Sequence, residues 1–252
     1  MRIAYEIVGS REKSVAIIGS DVKNPKKAAE EIMQRHKAVL SVLQKTDKRQ
    51  GKFRLHPSRL IKGKRDTEVV HKENGYLIKV DPRKSYFSPR EATERQRIVE
   101  KVKGDENVLV MFSGVAPFAI AIAKKHPHTK ITCVEMNLEA VKYAVKSVHL
   151  NRLTNVKNIC WDVRKSRNLG IFDRIIMPLP ETAIEFIDVA VLHSKKGTII
   201  HLYGFSKGFA ELEKKVKEKA KIYNFKYKIV GRQKVLPFSP GVSKNRLDIK
   251  VL

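Results

Sequence analysis

Apolar positions along this chain follow two periods. From residue 104 onward, short continuous apolar runs, as expected of strands buried on both faces, alternate with segments whose apolar residues return every three or four positions, as expected of helices. This predicts strand 107–112, helix 117–126, strand 130–135, helix 137–151, strand 157–161, strand 171–177, helix 181–194 and strand 197–203. The order implies an α/β architecture with a largely parallel sheet and helices on both faces. A helix over 206–223 follows, then strands over 225–235 and 245–251 as an antiparallel hairpin at one side of the sheet. Earlier in the chain, Ile3, Tyr5 and Ile7 alternate and a second apolar run covers 15–18, which reads as a hairpin turning at Gly9-Ser10. Asn24-Pro25 opens a helix to about 36, Val39 to Leu43 is a strand, and 68–80 is a hairpin split by Asn74-Gly75. Ser88-Pro89 opens a helix to 103. Residues 1–82 thus read as a small α+β domain and 83–252 as the larger α/β domain, with Asp81-Pro82 between them.

The stretch 108–123, VLVMFSGVAPFAIAIA, is a buried strand, a tight turn at Ser113-Gly114 and a helix start. Glu135 ends the next strand 21 residues after Gly114, the distance at which an acid in a nucleotide-binding α/β unit accepts from a ribose. One glycine stands where a dinucleotide fingerprint has three, and no Lys-Ser/Thr follows, so neither a nicotinamide cofactor nor a P-loop is supported. A smaller adenosine cofactor fits, with Gly114 letting the backbone approach it and Phe118 packing against it. Asp162 ends the third strand and is placed to accept from an adenine amino group. Taken singly, each acid reads equally well as a helix cap. The fourth strand tip, Met177-Pro178-Leu179-Pro180, is a rigid corner that also serves to start a helix.

Charge narrows the class of partner. Lys and Arg number 52 against 26 acids, a net charge of +26, which favours a polyanion such as nucleic acid over a thermophile's lysine enrichment. Residues 45–64 are dense in cations and read as a solvated loop or a phosphate-contacting arm carrying Phe53 and Arg54. The two cysteines, Cys133 and Cys160, lie in strand-like runs without metal-site spacing, so no metal is expected and a reducing cytoplasmic compartment fits. The first ten residues are too polar for a signal peptide, and no apolar run reaches membrane-spanning length.

Read together, GKFR at 51–54, HKENG at 71–75, YFSPREATER at 86–95, MFSGVAPF at 111–118, VEMN at 134–137, WDVR at 161–164, DRIIMPLP at 173–180 and TIIHLYGF at 198–205 resemble the archaeal and eukaryotic tRNA (guanine-37, N1)-methyltransferases and their wyosine-pathway relatives. The resemblance implies a class I, Rossmann-like methyltransferase domain using S-adenosylmethionine, preceded by a small RNA-docking domain, with tRNA as partner. A monomer is expected. Some members carry a further N-terminal domain, and this chain is expected to be the short form without it. Carried over by motif, Glu94 is the general base that takes the N1 proton and Arg54 stabilises O6. Tyr86, Phe112, Gly114, Phe118, Glu135, Met136, Asp162 and Val163 hold the cofactor, and Arg90, Arg95, Pro178, Leu179 and Pro180 face the substrate. Without the resemblance, Glu94 reads as a surface acid paired with Arg90. Two positions depart from the family pattern: Val110 stands where an acid is usual and Pro178 where Asn is usual. The second change bears on the acceptor base, so methylation of a tricyclic guanine derivative, or transfer of the cofactor's 3-amino-3-carboxypropyl group, stays open. So does a non-catalytic RNA-binding role.

Overall fold

The computed structural model describes residues 3–46, 57–166 and 168–252. β1 (Tyr5–Gly9) and β2 (Ser14–Ile18) form a hairpin, α1 (Pro25–Arg35) crosses to β3 (Val39–Lys45) parallel to β2, and β4 (Ser58–Gly63) pairs antiparallel with β3. The Asn24 side chain caps α1 by accepting from the Lys27 N–H at 3.2 Å. β4 corrects the reading of 45–64 as one basic arm. Its cations obscure an apolar centre, where Leu60 and Ile61 pack into two different clusters, while Arg59 turns back to the Gln44 side chain at 2.9 Å. Phe53 and Arg54 lie outside the described residues.

β5 (Val69–Glu73) and β6 (Tyr76–Val80) pair around Asn74 (φ 44°) and Gly75 (φ 83°), the two positive values a type I′ turn requires. A single 3₁₀ turn at Pro89–Glu91 leads into α2 (Ala92–Lys101), shorter than the helix expected over 88–103. The second sheet is built from β7 (Asn107–Met111), β8 (Lys130–Glu135), β9 (Val156–Cys160), β10 (Phe172–Met177), β11 (Ser194–Ser206), β12 (Tyr227–Ser239) and β13 (Val242–Val251), in the order β12-β13-β11-β10-β7-β8-β9. Only β13 runs against its neighbours. Chain order reverses between β7 and β10, so the ligand crevice belongs at their C-terminal ends.

β7 shows how the sequence divides its faces. Val108 and Val110 enter the cluster that contains Phe118, Tyr143 and Ile98, whereas Leu109 and Met111 enter the cluster of Ile187, Leu212 and Val216. The first face carries α2, α3 (Pro117–Lys125) and α4 (Leu138–Leu150); the second carries α5 (Ile187–Leu192) and α6 (Phe209–Ile222). The helix expected over 181–194 is instead a 3₁₀ turn at Ala183–Phe186 followed by the short α5.

The β5–β6 hairpin packs on α4. The Asn151 side chain accepts from the Leu77 N–H at 2.9 Å and donates to the Leu77 carbonyl at 2.6 Å, and the Lys79 N–H donates to Ser147 Oγ at 2.8 Å. Val69, Tyr76, Ile78 and Val80 share one core with Val108 and Phe118, and Val8, Val15 and Leu43 of the first sheet join it. The first sheet and α1 keep a further core of their own, around Ala16, Ile18, Ala28, Ile32 and Val42. By packing, the hairpin goes with the larger sheet, because its apolar face meets α4 there. Among the described residues no helix is long and apolar enough to cross a membrane.

Candidate active site

The strand tips at the switch point enclose a cavity of about 320 Å³. After β7 the backbone takes left-handed conformations at Phe112 (φ 56°), Gly114 (φ 56°) and Ala116 (φ 60°) before Pro117 opens α3. Two of these three are not glycine, a strain of about 1–2 kcal/mol each that surrounding structure must hold. Glu135 supplies that hold. Its Oε2 accepts from the Gly114 N–H at 2.8 Å, and its Oε1 from the Met136 and Asn137 N–H groups at 2.9 and 2.8 Å. A carboxylate has about four acceptor positions, so capacity remains for a ribose hydroxyl. Asn137 in turn caps α4 and donates to the Lys84 carbonyl at 3.1 Å, anchoring the segment that carries Tyr86.

Around this tip lie the adenosine-half residues expected from sequence: Tyr86, Phe112, Gly114 and Glu135, then Met136, Asp162 and Val163, all line the cavity. The carboxylate of Asp162 is engaged by Arg164 (Nη2–Oδ2 2.7 Å, Nε–Oδ1 3.1 Å), so an adenine amino group would share it. Arg164 also lies over the Phe186 ring, and Phe186 meets Phe112 edge-on at 4.8 Å between centroids. The apolar walls, the ribose-facing acid and the left-handed glycine fit a nucleoside of the size of adenosine. Among the described residues no cluster of His, Cys, Asp or Glu could hold a metal ion.

The far half is framed by Pro178, Leu179 and Pro180, as expected, and by residues the sequence reading missed. Phe205, at the end of β11, donates its N–H to the Pro180 carbonyl at 3.1 Å and stacks on Phe238 at 3.9 Å. Lys244 on β13 sits opposite Phe205 in register and donates to Glu91 at 2.8 Å, and both line the cavity. Glu91 belongs to the same SPREATER block as Glu94, which is the one signal that pointed to it. Nothing local marked Lys244, which reaches the site only through strand pairing.

Four expected site residues are elsewhere. Phe118 is 3% exposed inside α3, packed toward Tyr203 at 6.0 Å, because the α3 face that follows the loop turns into the core. Arg95 is buried in a bidentate pair with Glu73 (2.7 and 2.5 Å) and does not line the cavity. Arg90 is exposed and faces Glu6 at 3.7 Å. Glu94 is 1% exposed and does not line the cavity, accepting from the Tyr203 hydroxyl at 2.8 Å and from Arg246, with Arg97 at 3.4 Å. Lys244 lies over the Tyr203 ring at 4.9 Å, so Glu94 stands one side chain behind the cavity wall.

A family model described as the TRM5/TYW2 methyltransferase domain matches residues 69–230. The tRNA (guanine(37)-N(1))-methyltransferase Trm5b of Pyrococcus abyssi is 32% identical over 98% of this chain and 74% of its own length. The tRNA (guanine(37)-N(1))/4-demethylwyosine(37)-methyltransferase Taw22 of Nanoarchaeum equitans is 33% identical over 99% of both chains. A solved complex of aTrm5 and tRNALeu superposes with a TM-score of 0.88 at 31% identity, covering 100% of this chain and 73% of that one. Solved structures of TYW2 hold AdoMet or MeSAdo. With a switch-point cavity built around Gly114 and Glu135 and a family match across most of its length, this chain belongs to the TRM5/TYW2 methyltransferase family.

Proposed function

We propose that this protein methylates N1 of the guanine 3′ of a tRNA anticodon, with S-adenosylmethionine as cofactor. The observation that carries the reading is the single cavity that joins an adenosine half, around Gly114 and Glu135, to a second half framed by Pro178–Pro180 and Phe205. S-adenosylmethionine supplies an electrophilic methyl group on a sulfonium. The chain supplies position: Glu135 holds the ribose end, Phe112, Met136 and Val163 enclose the adenine, and the proline corner with Phe205 walls a flipped base. Arg54, from the resemblance, is proposed to donate to O6, where negative charge gathers as the N1 proton leaves.

Pro178 favours a second reading. Without the usual Asn, the corner offers the base no side-chain amide, a change that suits a tricyclic guanine derivative. The relative from Nanoarchaeum equitans carries both activities in its name. One experiment tests both: incubate an unmodified tRNA transcript, and separately a wyosine-precursor tRNA, with cofactor labelled in the methyl or the aminocarboxypropyl group, and identify the nucleosides by mass spectrometry. N1-methylguanosine from the transcript is expected. Product from the precursor alone supports the second reading, and label arriving only from the aminocarboxypropyl group excludes methyl transfer.

A further inference from the structure

The far half of the cavity has an aromatic wall that continues into solvent. Phe205 lines the cavity, and Phe238 is stacked on it at 3.9 Å between centroids with the ring planes 26° apart. Phe238 reaches that position through a break in strand pairing. On β12, Pro237 pairs with Ser243 and Ser239 with Val242, so Phe238 is the extra residue of a β-bulge, a device that re-aims a side chain beside a site. Pro237 and Pro240 stand on either side of it and each fixes a φ of the hairpin tip. The residue is nevertheless 58% exposed. A lone exposed aromatic is ordinary. A bulged, proline-framed ring that extends the wall of a ligand cavity is different: one face rests on Phe205, and the other is left open at the rim.

The surroundings limit what can cover that face. Residues 227–246 carry Lys228, Arg232, Lys234, Lys244 and Arg246 and no acid, which suits an anionic partner. The ring itself suits a flat apolar one. An unpaired nucleotide is both, with its phosphate outside and its π-face inward. A base flipped out of its strand also breaks the stack on either side, so a neighbouring base arrives at the rim with a bare face.

We infer that the open face of Phe238 is a stacking platform for the base of a nucleotide adjoining the acceptor in the RNA chain. The inference rests on the tRNA reading above, and it holds whichever group of the cofactor is transferred. Phe205 bounds the acceptor base on one side, Phe238 seats its neighbour, and the two rings replace part of the stacking that flipping removes. Every base has a π-face, so the platform contributes affinity and register without restricting which base the neighbour carries. It responds to loss of that base, not to its replacement by another.

The test compares wild-type protein with Phe238→Ala, Phe238→Leu and Phe238→Tyr. Equilibrium binding is measured at one salt concentration, with the demethylated cofactor bound, to an intact tRNA transcript and to two others abasic at the nucleotide 5′ or 3′ of the acceptor. Phe238→Ala and Phe238→Leu should each weaken binding of the intact transcript about fivefold or more, and Phe238→Tyr, which keeps the ring, should stay within about twofold of wild type. Cofactor affinity, followed by the fluorescence of Trp161, the one tryptophan in the chain, in the cavity lining, should be unchanged by all three. The single-turnover rate at saturating transcript should stay within about threefold, the pattern of lost uniform binding. One abasic transcript should bind wild-type protein as weakly as the intact one binds Phe238→Ala, and on it Phe238→Ala should add less than about twofold.

Wild-type affinity in Phe238→Ala overturns the inference, and so does wild-type affinity in Phe238→Leu, which reduces the ring to packing for Phe205. A Phe238→Ala penalty that persists in full on both abasic transcripts also overturns it. Unchanged RNA affinity with a changed sedimentation coefficient gives the face to a second copy of the chain instead. If Phe238→Ala does not fold, the contrast between Phe238→Leu and Phe238→Tyr and the wild-type affinities for the abasic transcripts still decide. Wild-type protein that binds no transcript overturns the tRNA reading itself.

Discussion

Glu73 and Arg95 show how this chain uses buried charge at the scale of single residues. Burial pushes the Glu73 carboxyl up, but the Arg95 fork, His71 and the Tyr76 hydroxyl outweigh it and hold the group down at about 2 against an ordinary 4.5. A carboxylate depressed in this way adds stability that is fully present above about pH 4.5 and is lost as pH falls toward 2, a contribution of the order of 3 kcal/mol. Glu73→Gln should therefore flatten the acid limb of a urea-denaturation series between pH 4.5 and 2. It should also cost about 3–5 kcal/mol at pH 7, because Arg95 is left buried and uncompensated. The same geometry explains why Arg95 could not be placed from its motif. The SPREATER block shows a run of charges at helical spacing, but which of them faces solvent, partner or cavity depends on Glu73, Tyr203, Arg246 and Lys244, which lie 22, 109, 152 and 153 residues from the members they meet.

Elements were more legible than sites, because their signals are local. β7 and the Asn74-Gly75 hairpin follow directly from a period of two and from a dipeptide that tolerates positive φ, and the loop after β7 was marked by its glycine. β4 was not legible, since Arg59 and Lys62 make its alternation look like a solvated run. The short α5 was missed for the opposite reason: apolar spacing over 181–194 is helical, but Phe186 faces the site and interrupts the helix. The hairpin's attachment to α4 gives a prediction at this scale. Asn151 acts as one more strand residue along β6, satisfying both backbone groups of Leu77. Asn151→Ala should destabilise the protein by about 1–3 kcal/mol, and hydrogen exchange should quicken first at the Leu77 amide. Gly75→Ala should cost about 1 kcal/mol through its backbone conformation alone, since nothing lies within 4 Å of the added carbon.

At the scale of the whole molecule, the charge of +26 sets the terms of RNA binding. Lys214, Lys215, Lys217, Lys219 and Lys221 all lie on α6, and Lys228, Arg232 and Lys234 follow on β12. A protein that neutralises six to ten phosphates loses about 10³ or more in affinity between 50 and 200 mM salt. A linear fall of log affinity with log salt of that size is expected for the unmodified transcript.

Of the two cysteines, Cys133 on β8 is wholly enclosed, and burial pushes its thiol up to about 12 despite the nearby Ser113 hydroxyl. Cys160 is exposed at the end of β9, next to Trp161 and 4.0 Å from the Met136 carbonyl. The natural chain thus offers one accessible sulfur, beside Trp161 of the cavity lining. A maleimide dye attached there would make an optical sensor of cofactor occupancy, with the neighbouring indole as its energy donor, from protein carrying no substitution at all.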